Sequence, residues 1–228
     1  MGRILRFVLF ALAAAALAVV LLAWGGYRAA RYEPPFYRQV LEADPARQAE
    51  LGNQLEQAVL DLHNHSRQIG RWEAEFTDEQ LNGWLAVDLP AKFPEMLPPQ
   101  VQDPRIVIES QRARFACRVT SEAVSTVVSF TLELHLTDER NTLAIRISKV
   151  RAGALPVPLR QFLDPISTAA NNSRIPLRWS QTDGDPVALL TIPGKHEEFT
   201  EGEVLLDTIE LREGSVYLAG STDAGPPE

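Results

Sequence analysis

Residues 7–24, FVLFALAAAALAVVLLAW, run for eighteen positions without a charge, an amide side chain or a proline. As a helix this run is about 27 Å long, close to the ~30 Å hydrocarbon thickness of a bilayer. A helix apolar on every face suits lipid better than the surface of a globular core. Phe7, Leu12, Leu17, Leu22 and Trp24 are therefore read as membrane-anchor residues, with Trp24 and Tyr27 suited to the headgroup interface. The expected anchor is residues 1–27. The rival reading is a cleaved signal peptide, favoured by Arg3, Arg6 and the triplet Ala23-Trp24-Gly25. A signal core is usually ~7–15 apolar residues, and this run continues through the cleavage point. Arg3 and Arg6 predict a cytoplasmic start, hence a single-pass membrane protein with an extracytoplasmic domain, though Arg28, Arg31 and Arg38 narrow that bias.

The whole chain of 228 residues carries a net charge of -8, and the part beyond the arginine-bearing start is more acidic still. Nucleic acid is excluded as an expected partner, because its binding rests on neutralised phosphates. By the same reasoning the domain is a poor surface for anionic headgroups. The single cysteine, Cys117, rules out an internal disulfide and any multi-cysteine metal site.

Residues 28–36, RAARYEPPF, read as a linker stiffened by Pro34-Pro35, and residues 37–220 as one α+β domain. Asp44-Pro45 is a helix start signal, and Leu51, Leu55, Ala58, Val59 and Leu62 give one apolar stripe up to the stop at Gly70. Trp72 to Phe76 alternates like a strand, and Thr77-Asp78-Glu79-Gln80 reads as a capping box opening a short helix. Residues 89–104 hold five prolines and read as an irregular connection.

Period-two alternation follows. Ala113, Phe115, Cys117 and Val119 face one way, against Arg112, Arg114, Ala116 and Arg118. In 127–137, Val128, Phe130, Leu132, Leu134 and Leu136 oppose a wet face of Val127, Ser129, Thr131, Glu133, His135 and Thr137. Leu143, Ile145 and Ile147 continue the pattern. Residues 155–172 read as a second helical segment broken near Pro165, and strands are expected over 174–181, 186–192, 203–212 and 215–219. Residues 221–228 are expected to be a disordered tail. The expected fold is α+β, a long helix and shorter helices packed on a curved antiparallel sheet.

No enzyme chemistry emerges, and no cofactor is expected. His63 and His65 are two apart on a helix and point in different directions, His135 lies on a polar strand face, and His196 has no second histidine at zinc-site spacing. Cys117 falls on an apolar strand face, where thiols are inert. No nucleophile elbow, phosphate loop or dinucleotide glycine pattern is present. Two features invite binding. Arg112, Arg114 and Arg118 form a stripe that is either an ion-pair ladder, for example against Glu133, or a docking surface for a phosphate or acidic partner. Trp72, Phe76, Leu81, Trp84 and Phe115 are either core or the lining of an apolar groove between helix and sheet.

An apolar span, then EFTDEQLNGWL (Glu75–Leu85), then long antiparallel strands resembles the YpmS-like and YceB-like groups of membrane-anchored bacterial envelope proteins. These are related in shape to tubular lipid-binding (TULIP-type) domains. Thr77, Asp78, Glu79, Leu81 and Asn82 match their strand-to-helix step, and VRAGALPVPL (Val150–Leu159) resembles a later strand-to-loop passage. The resemblance implies an apolar groove able to hold an acyl chain, and no catalysis. The expected function is thus a bilayer-anchored envelope domain that binds a lipid or other apolar ligand, or scaffolds a membrane-protein partner that does. The alternative is a tethered structural or interaction domain without ligand.

Overall fold

The computed structural model describes residues 25–121, 125–158, 163, 167, 176–182, 184–192 and 203–223. The expected anchor residues Phe7, Leu12, Leu17, Leu22 and Trp24 lie outside these, as do His196 and most of the expected helical segment 155–172. Among the described residues no helix is long and apolar enough to cross a membrane.

Proline and aspartate set the first two helices. Pro35 occupies the first turn of α1 (Pro35–Leu41). The Asp44 side chain accepts from Ala46 N at 3.1 Å to start α2 (Pro45–Ser66). Gly70, at φ +135°, turns the chain into β1 (Gly70–Thr77). The capping box forms as read: Gln80 N donates to Thr77 Oγ1 at 3.2 Å, and Thr77 N to Gln80 Oε1 at 3.0 Å, opening α3 (Asp78–Ala86). A short α4 (Asp88–Lys92) follows. The long helix packs on α3 and β1 rather than on the main sheet.

The proline-rich stretch ends in a strand, β2 (Val101–Glu109), where an irregular connection was expected. Pro104 is accommodated because pairing shifts between Gln102 and Arg105, with Asp103 at φ +49°. It also lies on an edge strand, where a missing N–H costs no ladder bond. The chain continues through β3 (Arg112–Thr120), β4 (Ser125–Leu136), β5 (Thr142–Ala152) and β6 (Leu155–Pro156). It then forms β7 (Leu177–Thr182), β8 (Asp185–Thr191), β9 (Glu203–Arg212) and β10 (Ser215–Asp223). One antiparallel sheet has the order β2-β3-β4-β5-β8-β7, with β6 beside β5, and a second has the order β1-β10-β9. The architecture is mixed α+β around a large antiparallel sheet.

Strand β9 joins the sheets. Gln111 N donates to Leu211 O at 2.9 Å near the β2–β3 turn. At the β4–β5 turn Asn141 donates to Val204 O at 2.7 Å and accepts from Leu206 N at 2.9 Å. Beneath it Ile108, Ala113 and Leu211 form a core with Leu81, Leu132, Leu134 and Val216 around them.

Three expectations are corrected. The face of β4 expected to be wet is buried at Val127, Ser129 and Thr131, because α1 lies over it. Tyr37, fully buried, packs on Ala116 and Val127 and donates to Asp103 O at 2.9 Å. Residues 28–36 are no spacer. Ala29 O accepts from Ala154 N at 2.8 Å, Ala30 O from Thr126 Oγ1 at 2.5 Å, and Glu33 pairs with Arg118 at 2.8 Å. The tail cannot begin at 221, since β10 runs to Asp223 and buried Thr222 donates to Ser66 O at 2.7 Å.

Candidate functional site

The arginine stripe of β3 is already paired, though not with Glu133. Arg112 and Arg114 share Glu109, Arg118 takes Glu33, and Glu133 lies 3.9 Å from Arg146, which also pairs with Asp185 at 2.7 Å. Arg114 stacks its guanidinium 4.4 Å from the Phe36 ring centre, while its Nε is buried without a partner. Arg112 and Arg114 thus have one carboxylate between them among the described residues.

The five aromatic and apolar groove candidates are dispersed. Trp72 lies over Gly220, where an added Cβ would come within 2.2 Å of its ring, and Phe76 is buried on the same strand. Leu81 belongs to the core under β9. Trp84 sits 5.9 Å from Phe93 and donates to Glu56 at 3.3 Å. Phe115 stacks on Phe130 at 5.0 Å. They hold elements together and do not share one cavity.

Cys117 is buried, and burial pushes its thiol up to about 11. At neutral pH it stays protonated and shielded. Iodoacetamide at pH 8 is expected to leave the native chain unmodified and to label it stoichiometrically in urea. Labelling of the native chain at the denatured rate would show the β3 assignment to be wrong. Among the described residues no group of histidine, cysteine or carboxylate side chains could hold a metal ion.

The empty space lies elsewhere, at an irregularity in β5. Ser129 pairs with Arg151 and Thr131 with Ser148, so Lys149 and Val150 both stand opposite Phe130. Lys149 adopts φ +54° to make this bulge. On one side of it opens a cleft of about 410 Å³, walled by Ile147, Val150, Val157, Pro158, Leu163, Trp179 and Pro186. Ser148, Lys149, Ser180, Gln181 and Asp185 line it as well. The Trp179 indole N–H is satisfied by Ser167 Oγ at 2.8 Å, so its ring is free to serve as apolar wall.

A second cleft, of about 250 Å³, lies under residues 32–36. Tyr32, Pro34, Pro35, Phe36 and Phe130 line it together with Arg114, Lys149 and Arg151. Lys149 borders both clefts. Neither cleft was found by reading residues in pairs along the strand. One signal was available: the apolar positions 143, 145 and 147 slip phase to Val150, as a bulge requires.

Compared with protein-family models, with curated proteins and with solved structures, the chain matches none.

Proposed function

We propose that the chain is a membrane-tethered envelope domain that binds an acyl-type apolar ligand in the cleft beside the β5 bulge. The observation that carries this reading is the cleft itself: about 410 Å³ lined by Ile147, Val150, Val157, Leu163 and the Trp179 indole together with several polar side chains. That volume is in the usual range of ligand sites, about 300–1,000 Å³. The apolar run at 7–24 supports this reading, as does the resemblance of Thr77, Asp78, Glu79, Leu81 and Asn82 to a step in YpmS-like and YceB-like envelope proteins, which are related in shape to lipid-binding domains. The helix–sheet groove anticipated from Trp72, Phe76, Leu81, Trp84 and Phe115 is replaced by this cleft.

Val157 is half-buried at the wall, so Val157→Trp fills the cavity without emptying the core. With the full chain in a neutral detergent, a fluorescent fatty acid is expected to bind saturably, and Val157→Trp to weaken it by about tenfold or more, equivalent to ~1.4 kcal/mol. No saturable uptake by the unmodified chain, or equal uptake by the variant, would sink the reading. A second reading, an interaction domain without ligand, is favoured by Val59 and Leu60, 48% and 60% exposed on α2. It predicts loss of an oligomer or complex in Leu60→Lys and no fatty-acid binding at all.

A further inference from the structure

We infer that the cleft under residues 32–36 holds the phosphate of an anionic amphiphile whose acyl part occupies the neighbouring apolar cleft. This rests on the proposed acyl site and adds the chemistry of the headgroup.

The charge around the cleft is the reverse of the chain's. Against a net charge of -8 overall, three cations, Arg114, Lys149 and Arg151, converge on about 250 Å³. Glu109, the one carboxylate paired with Arg114, is shared with Arg112. Among the described residues neither Lys149 nor Arg151 has an ion-pair partner, and both are exposed. A phosphate here would meet Lys149 and Arg151 free of carboxylate partners among the described residues, beside Arg114, whose carboxylate partner is shared. A phosphate group offers several acceptor oxygens to such a fork of guanidinium and ammonium donors.

Register explains why the cations converge. Ser129 lies opposite Arg151 and Thr131 opposite Arg114, and the bulge places Lys149 between the two clefts. The hydroxyl residues Ser129 and Thr131 line the floor. The roof, residues 32–36, begins eight positions after the end of the apolar run 7–24. A chain inserted through that run would bring the cleft to the depth of lipid headgroups, with the acyl cleft across Lys149.

The test is native mass spectrometry of the full chain released from a neutral detergent, with dioleoyl phosphatidic acid and dioleoylglycerol offered separately. The tails are identical, so any difference reports the phosphate. Retention of the phosphatidic acid is expected to exceed that of the diacylglycerol by about tenfold, since charge-assisted hydrogen bonds are the stronger kind. The variant Arg151→Gln, whose residue borders the headgroup cleft and not the acyl cleft, is expected to bring the acid down towards the level of the diacylglycerol and leave the diacylglycerol unchanged. An unchanged thermal midpoint shows that the variant is folded. Equal retention of both lipids by the unmodified chain, or no effect of Arg151→Gln on the acid, overturns the headgroup site while leaving the acyl site standing. Retention of neither lipid overturns both. Inorganic phosphate that displaces the acid at equal concentration would reassign the site to free phosphate and overturn the amphiphile.

Discussion

Gly83→Ala is expected to destabilise the fold by more than about 2 kcal/mol, although alanine is the better helix former by about 1 kcal/mol. Helices α2 and α3 meet backbone to backbone at this residue. A Cβ on Gly83 would lie 2.4 Å from Gln48 O and 2.7 Å from Gly52 N. Neither is the end of a flexible side chain, so one helix must move off the other. The contact is shared from the other side, where a Cβ on Gly52 would come within 2.3 Å of Asp88 Oδ2 and 3.2 Å of Gly83 C. Separation of the helices would also loosen Leu55, buried on α2, from the surface it covers. The measurement is the urea midpoint of the full chain in mild detergent. A midpoint that rises by the propensity gain would show that the helices are not in contact at this point.

Asn82→Ala is expected to cost about 2–4 kcal/mol, from two backbone groups left without partners in a buried place. Asn82 is 5% exposed, and its amide serves as an extra rung on the sheet: Nδ2 donates to Ile106 O at 2.6 Å, and Oδ1 accepts from Ile106 N at 2.9 Å. One turn earlier Asp78 Oδ2 accepts from Ile108 N at 3.1 Å. Helix α3 thus closes the free edge of β2 with side chains, and so blocks strand addition there. Asn82→Asp separates the two bonds. It keeps the acceptor and sets a carboxylate against the Ile106 carbonyl, so it should cost at least as much as alanine at neutral pH and recover part of the loss on acidification. If the alanine variant unfolds at the same urea concentration as the unmodified chain, α3 does not support the edge. Burial already pushes the Asp78 carboxyl up, a tendency partly offset by the bond from Ile108. Its share of stability is therefore complete below the ordinary carboxyl range and declines as the pH rises through its raised folded value.

These two residues also show how far the sequence could be read. The box at Thr77 and Gln80 was legible because its partners are three residues apart, a distance the sequence displays directly. Asn82 stood in the same motif, yet its partner is Ile106, twenty-four residues on across a proline-rich stretch, and nothing local shows such a bond. The strands over 112–119 and 127–137 were legible from alternation, and that over 203–212 from its place before the Glu213-Gly214 turn. Which face would be wet was not, because the cover comes from Phe36 and Tyr37, short of any periodic pattern and inside or beside a segment that read as linker. The candidate site fared worst. Arg114 was singled out for its charge, but Lys149 and Arg151 gain meaning only from the bulge, which turns a lysine into a residue bordering two cavities.

The pairing of β1 with β10 has a bearing on how the chain is made. Gly70 pairs with Thr222 and Thr77 with Ser215, so the smaller sheet zips together residues separated by most of the chain. During synthesis β1 has no strand to pair with until β10 emerges. The loop to be closed is long, and such closures delay folding. The helices and the β3–β5 meander, whose contacts are local, can form first and wait for it. The smaller sheet would thus stay open until β10 has been made, and a chain cut before Ser215 would leave β1 and β9 without the strand that joins them.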